Sequence, residues 1–171
     1  MRQLSMIRPH MENLPEIKLP QGYEIHTGWA DSAPVWEEII RDSFNMEFSY
    51  EKELDYPDCG PDNCYFVSVN GEDVATATSY TKPEVSGAAF LHMVAAHSKG
   101  LGKGAGKLAV LAVLHGLKEQ GFQECRLFTD DFRLPAIGLY LSLGFEPVID
   151  GKEMEDRWNA VREKLKERKS V

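Results

Sequence analysis

A cluster of glycines near the middle of the chain has the residue types best suited to chemistry. It contains Gly100, Gly102, Gly104 and Gly106. The run that follows, residues 107–120, has no proline and is rich in leucine, valine and alanine, which predicts a buried helix. The first turn of a helix presents free N–H groups and the positive end of its dipole, and glycines let an anion approach the main chain. The cluster therefore predicts a phosphate-binding turn.

Positive charge concentrates around this turn, although the chain has a formal net charge of −8. The lysines concerned are Lys99, Lys103 and Lys107. Local charge of this kind favours an anionic ligand at the turn, whereas so acidic a chain is not expected to bind nucleic acid.

Two nucleotide-binding motifs can be compared with the turn. A nucleoside triphosphate P-loop is excluded, because Leu101 stands where its first glycine is required and Leu108 stands where serine or threonine is required. The dinucleotide pattern G-x-G-x-x-G/A is met by the run 104–109, and Asp130 ends the next apolar run, where a ribose-binding acid is expected. A dinucleotide-binding oxidoreductase therefore stays open as a function.

The elements that must position the turn follow from periodicity and turn residues. Strands are predicted at 22–29, 64–69, 73–80, 88–96, 124–129 and 145–149, and helices at 35–44, 49–54, 107–120, 133–143 and 152–169. The dipeptide Asn70-Gly71 predicts a hairpin between the second and third of these strands. A strand, two helices and a hairpin thus precede the glycine turn, whereas a dinucleotide-binding fold usually opens with it.

The glycine turn also resembles a loop of a known family. The run AHSKGLGKGAG at 96–106 is similar to the acetyl-CoA pyrophosphate loop of the GNAT acetyltransferase superfamily, whose core is Q/R-x-x-G-x-G/A. Leu101 stands at the first position of that core, and Ser98 stands where the family often has proline. The match lies in the glycines of the run 102–106.

A second motif of the same family follows the next strand. The family has the spacing N-x-x-A-x-x-x-Y-x-x-x-G-F, from which this chain departs only at the asparagine. The residues that take these positions are Arg133, Ala136, Tyr140, Gly144 and Phe145. The run TDDFRLPAIGLYLSLGFEPV resembles the branch of the superfamily that includes the C-terminal half of mycothiol synthases. The resemblance covers roughly residues 20–150.

This resemblance implies an α/β fold with a mixed, mostly antiparallel sheet of six to seven strands and helices on both faces. It implies acetyl-CoA as co-substrate and the amine of a small molecule, amino acid or peptide as acceptor, which attacks directly in a ternary complex. The residues expected to hold acetyl-CoA are Val94, Ala95, Ala96, Leu101, Gly102, Lys103, Gly104, Ala105, Gly106, Lys107, Arg133 and Ala136. The main chain of 94–96 would pair with the pantetheine arm where its strand splays from the next. A non-catalytic CoA sensor is a further alternative.

An acetyltransferase aligns a neutral amine with the thioester, removes its proton and protonates the leaving thiolate. The resemblance assigns the last step to Tyr140, although a tyrosine on an amphipathic helix can also be a core residue. His92, expected on the same face as Val94, and Asp130 are the candidate bases. Each has a structural alternative, as a hydrogen-bonded core histidine and as a helix cap, and deprotonation by water stays open.

Length and composition set the remaining expectations. A chain of 171 residues, 43% of them hydrophobic, is expected to form one domain, 1–171, and to act as a monomer or homodimer. Residues 1–20 contain three prolines and are expected to form an irregular arm. The scattered Cys59, Cys64 and Cys125 lack a metal-ligand spacing, which predicts a reduced, cytoplasmic protein without a metal. No run is apolar enough for a bilayer helix or a signal peptide.

Overall fold

The computed structural model describes residues 2–169, which form one seven-stranded sheet and five α-helices. The strands are β1 (Leu4–Arg8), β2 (Tyr23–Thr27), β3 (Cys64–Val69), β4 (Glu72–Thr81), β5 (Ala88–Ala96), β6 (Glu124–Thr129) and β7 (Glu146–Pro147). The helices are α1 (Ala33–Phe44), α2 (Tyr50–Glu53), α3 (Ala105–Glu119), α4 (Leu134–Ser142) and α5 (Lys152–Lys169). None of these helices is both long enough and apolar enough to cross a membrane.

The strands follow the order β2-β3-β4-β5-β6-β1-β7 across the sheet. Neighbouring strands in the described chain run antiparallel, except for β5 and β6, which run parallel. Helix α3 packs against β3, β4 and β5 on one face, and α1 packs against β4 and β5 on the other. The predicted mixed, mostly antiparallel sheet with helices on both faces is confirmed.

Two apolar cores follow from this layering, because successive side chains of a strand point to opposite faces. Leu111 and Leu114 of α3 lie fully buried in the first core. Trp36 of α1 lies fully buried in the second core, which also contains Phe66 and Phe90. Full burial of such side chains contributes about 1.5–3 kcal/mol each. The sheet between the cores is therefore held from both sides.

The predicted hairpin joins β3 to β4. Asn70 and Gly71 have φ angles of 53° and 82°. Positive φ at both central positions is what a type I′ hairpin turn requires, and Asn-Gly adopts it readily. The hairpin sets β4 beside β5, the strand that leads into the glycine turn.

The N-terminal segment differs from the expectation of an irregular arm. Strand β1 lies between β6 and β7 and pairs antiparallel with both, so that prediction is wrong for residues 4–8. Leu4 and Met6 alternate into the core and are fully buried, and the prolines of this segment begin only after the strand. The buried Arg8 donates from Nε to the carbonyl of Leu143 at 2.9 Å, which ties β1 to the end of α4.

The C-terminal elements agree with the sequence except at one boundary. Strand β7 is shorter than the predicted 145–149, since it is an edge strand and Pro147 has no N–H to extend the ladder. The apolar stripe of α5 faces inward, and Met154, Trp158 and Val161 are buried in the core shared with α3. This helix docks on the chain's own core, as predicted.

Candidate active site

Strands β5 and β6 separate part-way along their length. They pair from Ala88 and Glu124 to Phe90 and Arg126, and the described strands do not pair beyond that point. A cleft of about 610 Å³ opens there. The remainder of β5 has no strand partner on this side, so its main-chain amides can pair with a ligand. The resemblance to GNAT proteins predicts a separation of the two strands at this place.

A bulge in β5 decides which side chains face each side of the sheet. The β4–β5 register shifts between Thr76 and Thr78, because β5 carries an extra residue near Met93, whose φ is 48°. As a result Val94 packs against the core on the α3 side, whereas His92 contacts aromatic rings on the α1 side. The prediction that His92 and Val94 share a face is wrong, because simple alternation stops at a bulge.

The glycine turn lies between the end of β5 and the start of α3. Gly102 and Gly104 have φ angles of 73° and 77°, which glycine adopts without strain, and a Cβ at either would meet no atom within 4 Å. Among residues 2–169, no backbone carbonyl accepts from the N–H groups of Gly102, Gly104 or Ala105. A Cβ at Gly106 would lie 3.7 Å from the Cβ of Ala96. The turn thus offers free donors and open space to an anion.

The lysines around the turn have different surroundings. Lys99 forms an ion pair with Glu72, which occupies its charge. Lys103 and Lys107 are exposed and form no salt bridge within the described chain. Leu101 is 65% exposed, so an apolar side chain faces solvent where the resemblance expects arginine or glutamine. Lys103 and Lys107 are therefore the cations available to a phosphate at this turn.

Two side chains that are remote in sequence fix the turn. Tyr23 of β2 donates from its hydroxyl to the carbonyl of Lys103 at 2.9 Å. Asp42 of α1 accepts from the N–H of Ser98 at 2.5 Å and from its hydroxyl at 3.1 Å. The hydrogen bond from the Ser98 main chain is the main cause of the lowered pKa of Asp42. The sequence does not predict these two contacts, because no local pattern links such distant residues.

Tyr140 of α4 lines the cleft at the splay. Its side chain is 6% exposed, and its ring centroid lies 5.8 Å from that of Phe145. Burial raises the pKa of the Tyr140 phenol, so it stays protonated at neutral pH. Its hydroxyl donates to no residue in the described chain, which leaves its proton free for a ligand.

His92 lines the same cleft from β5. Its Nε2 lies 3.0 Å from the main-chain carbonyl oxygen of Glu53. Because a carbonyl only accepts, Nε2 carries the proton of the neutral ring and Nδ1 keeps its lone pair. Burial lowers the pKa of His92, so the ring is neutral at neutral pH. His92 thus combines a fixed hydrogen bond with one nitrogen that can accept a proton.

Asp130 lines the cleft but is already engaged. Its Oδ2 lies 3.2 Å from Nε of Arg133, and its Oδ1 accepts from Gln3 at 3.3 Å. Helix α4 begins without a side-chain cap, so the alternative role of Asp130 as its cap is wrong. Arg133 and Ala136 also line the cleft, and the Arg133 guanidinium lies 4.1 Å from the ring centroid of Phe44.

Stacked rings lie on the α1 side of the cleft, and all of them except the buried Phe90 line it. They were not predicted. We call this stack the aromatic wall: Tyr56 and Tyr80 have centroids 4.6 Å apart, Tyr80 and Phe90 5.1 Å, and Phe90 and Phe128 5.9 Å. Nζ of Lys82 lies 4.8 Å from the Phe90 centroid. The β4–β5 pairing sets Tyr80 opposite Phe90, which the register of the two strands could have suggested. The other two rings come from distant segments.

The described residues offer neither a metal-binding cluster nor a reactive thiol. No cluster of three or more His, Cys, Asp or Glu in the described residues can hold a metal ion. All three cysteines are free and buried, and burial raises the pKa of Cys59 and of Cys125 to about 12. These two thiols are therefore protonated at neutral pH and are poor nucleophiles.

The family model described as the acetyltransferase (GNAT) family matches residues 33–145, which is more than half of the chain. The chain belongs to this family. A dinucleotide-binding fold has a mostly parallel sheet, whereas the sheet of this chain is mainly antiparallel. Together with the family match, this shows that the alternative of a dinucleotide-binding oxidoreductase is wrong. Membership of the mycothiol-synthase branch stays a prediction.

Solved GNAT structures share the fold of this chain. An N-acetyltransferase from Sphaerobacter thermophilus matches at 14% identity and a TM-score of 0.69 over 86% of this chain and 50% of that one. One from Kribbella flavida matches at 18% identity and 0.62 over 86% and 55%. The ribosomal-protein-S18-alanine N-acetyltransferase of Escherichia coli matches at 20% identity and 0.64 over 74% and 79%. The chain thus spans only about half the length of the first two proteins.

No curated protein matches the chain in a sequence comparison. At the identities above, the solved structures show the fold alone. The acceptor of this GNAT protein must therefore be inferred from its own side chains.

Two observations test whether these side chains fit acetyl-CoA. The glycine turn presents unpaired N–H groups and two unpaired lysines, Lys103 and Lys107, which suits a pyrophosphate. The unpaired edge of β5 around 94–96 suits the amides of a pantetheine arm. The residues present fit the cofactor that the family implies.

Proposed function

We propose that this GNAT protein transfers an acetyl group from acetyl-CoA to the amine of a small molecule, amino acid or peptide, which attacks directly in a ternary complex. The observation that carries the proposal is the cleft at the splay of β5 and β6, lined by both Tyr140 and His92. Acylation of an amine removes a proton from nitrogen and adds one to sulfur. A proton donor and a proton acceptor beside one unpaired strand edge suit this exchange.

The chain's residues divide the binding of acetyl-CoA between them. The N–H groups of Gly102, Gly104 and Ala105 would bind the pyrophosphate, with Lys103 and Lys107 beside them. The main chain of Val94, Ala95 and Ala96 would pair with the pantetheine arm. The walls of the acetyl-CoA site would be completed by Leu101, Gly106, Arg133 and Ala136. Acetyl-CoA, when bound, supplies an acetyl group already activated as a thioester.

The proton transfers follow from the states of the two side chains. The amine nitrogen bonds to the acetyl carbon while the carbon–sulfur bond breaks and its electron pair stays on sulfur. The Nδ1 of His92 takes the amine proton, either directly or through a water, and the Tyr140 hydroxyl gives a proton to sulfur. Asp130 is less suited as the base, because Arg133 pairs with its carboxylate.

Isothermal titration with acetyl-CoA, CoA, NAD and ATP tests the binding half of this proposal. We expect acetyl-CoA and CoA to bind and NAD and ATP not to bind. Release of free thiol over a panel of amines tests the catalytic half. Binding without turnover of any amine would instead support the CoA sensor, and absence of acetyl-CoA binding would contradict both functions.

Several broader expectations stay predictions. We propose that residues 1–171 act as one domain, as a monomer or homodimer, in the cytoplasm and without nucleic acid or membrane partners. The acidic composition and the three free cysteines support these expectations.

A further inference from the structure

Lys82 places a positive charge in the cleft without a carboxylate partner. Its Nζ lies 4.8 Å from the ring centroid of Phe90, 5.4 Å from that of Phe128 and 6.0 Å from that of Tyr80. No aspartate or glutamate of residues 2–169 forms a salt bridge with it. The rings hold the ammonium group by cation–π contact and leave its charge unbalanced. A lysine in this state is suited to bind an anion.

The aromatic wall beside Lys82 remains accessible. Tyr56 is 44% exposed and Phe128 is 47% exposed, and both line the cleft. Phe132, at the same cleft, is 74% exposed. Several large apolar side chains exposed together at one concave surface mark a ligand site. An aromatic ligand gains more from contact with such rings than the burial of its apolar area alone provides.

A negative group of the cleft lies beside His92. Glu53 lines the cleft, and its Oε2 lies 3.8 Å from Nε2 of His92. No lysine or arginine within the described chain pairs with Glu53. The His92 ring centroid lies 5.3 Å from that of Tyr80, the ring whose centroid lies 6.0 Å from Nζ of Lys82. The cleft therefore carries a positive charge at Lys82 and a negative charge at Glu53, and Tyr80 lies near both Lys82 and His92.

We propose that the acceptor is a zwitterionic amine with an aromatic body, of which an aromatic amino acid is the smallest example. This inference rests on the proposed function, since it sets the reacting amine beside Glu53 and His92. The acceptor's carboxylate binds Lys82, and its ring stacks on the aromatic wall. Polycationic acceptors lack a group for Lys82 and bring a like charge close to it, so the cleft selects against them.

Matched acceptors and matched variants test this inference. Phenylalanine is compared with phenylalanine amide, which keeps the amine and the ring but lacks the carboxylate, and with alanine, which lacks the ring. We expect kcat/KM for phenylalanine to exceed that for the amide by about tenfold or more, as loss of a charged hydrogen bond predicts. Lys82→Gln should remove this preference. Lys118→Gln removes the same charge from an exposed position on α3, and this variant should keep the preference for phenylalanine over the amide.

A binding measurement gives a readout that does not depend on turnover. N-acetylphenylalanine, the expected product, should bind the wild-type protein and bind Lys82→Gln at least about tenfold more weakly. Equal use of acid and amide by the wild type, or an acid preference that survives in Lys82→Gln, would overturn the inference. If acetyl-CoA binds and only amines without a carboxylate react, this inference fails and the proposed function stands. If acetyl-CoA does not bind, the proposed function itself fails.

Discussion

The carboxylate of Asp42 accepts two hydrogen bonds from Ser98, one from the main-chain N–H at 2.5 Å and one from the hydroxyl at 3.1 Å. Ser98 begins the short turn that leads into the glycine turn. Nε2 of His97 lies 3.6 Å from the same carboxylate. Helix α1, which packs on β4 and β5, therefore also fixes the turn proposed to bind the pyrophosphate.

Asp42→Asn should weaken acetyl-CoA binding although Asp42 does not line the cleft. The neutral amide loses a charge-assisted contact with Ser98, so the turn becomes less well ordered before it binds. We expect the Kd for acetyl-CoA to rise about fivefold, the equivalent of one ordinary hydrogen bond. Glu38→Gln removes the same charge from an exposed position of the same helix and should leave the Kd unchanged in titration calorimetry. An unchanged Kd in Asp42→Asn would show that the turn is ordered without this contact.

Gly104 and Gly106 should respond differently to alanine. Gly104 has a φ of 77°, so Gly104→Ala should lower the free energy of unfolding by about 1 kcal/mol and also weaken acetyl-CoA binding. Gly106 lacks a positive φ, and its new Cβ would lie in ordinary contact with Ala96, so Gly106→Ala should fold normally. Its methyl group should still hinder a ligand at the main chain. Urea unfolding measures the stability of each variant, and titration calorimetry measures its Kd for acetyl-CoA. Equal stability of the two variants would contradict this account.

The sequence predicts those parts of the site whose geometry depends on residues close together in the chain. The spacing of Gly102 and Gly104 reflects a turn that needs positive φ. The spacing from Ala136 to Tyr140 reflects one face of helix α4. The Asn70-Gly71 dipeptide likewise reflects a single turn. Each of these features is determined by a few neighbouring residues, so the sequence alone was sufficient.

The parts that it does not predict depend on pairing between distant segments. Leu4 and Met6 alternate like a strand, but five residues before a proline-containing segment carry little signal of the partner strands. The bulge at Met93 exists only relative to the register of β4. Lys82 is a surface lysine by sequence, and only the fold brings it over Phe128. Strand pairing and the packing of side chains across it therefore decide the α1 side of the cleft.

His26 should make the stability of the fold depend on pH. Its Nε2 lies 2.8 Å from Oδ1 of Asp73, and its Nδ1 lies 3.0 Å from the carbonyl oxygen of Thr27. Burial lowers the pKa of His26, but the hydrogen bonds to Thr27 and Asp73 outweigh burial and raise it overall. Since the folded pKa is above the unfolded value, the stabilisation is full below about pH 6.5 and is lost as pH rises through the folded pKa.

Urea unfolding of the wild type and of His26→Gln tests this dependence. The difference in free energy of unfolding between them should be larger at about pH 5.5 than at about pH 8.5. In an Asp73→Asn background, the effect of His26→Gln on the free energy of unfolding should change less with pH, because the carboxylate that favours the imidazolium is absent. A difference that grows toward alkaline pH would have the wrong sign for this explanation.

Tyr140→Phe should separate catalysis from binding. The change removes only the hydroxyl, so acetyl-CoA affinity and Tm should stay close to wild type, while kcat falls by about 10²-fold if the phenol protonates the leaving sulfur. Tyr65→Phe is the matched control, since the Tyr65 hydroxyl is directed at Gly116 of α3 and Tyr65 does not line the cleft. A Tyr140→Phe enzyme with wild-type kcat would exclude the phenol as the proton donor.

His92→Gln tests the proposed base through the pH dependence of kcat at saturating acceptor. Glutamine can still donate to the Glu53 carbonyl, so the fold should be retained, but it offers no basic nitrogen in place of Nδ1. Burial lowers the pKa of His92, so in the wild type kcat should rise with pH through a value below 6.5 as the ring loses its proton. In His92→Gln this rise should vanish and kcat should fall by about 10²-fold. Asp130→Asn should keep the rise, because Asp130 is paired with Arg133. A His92→Gln enzyme with the wild-type rate and profile would instead assign the proton to water.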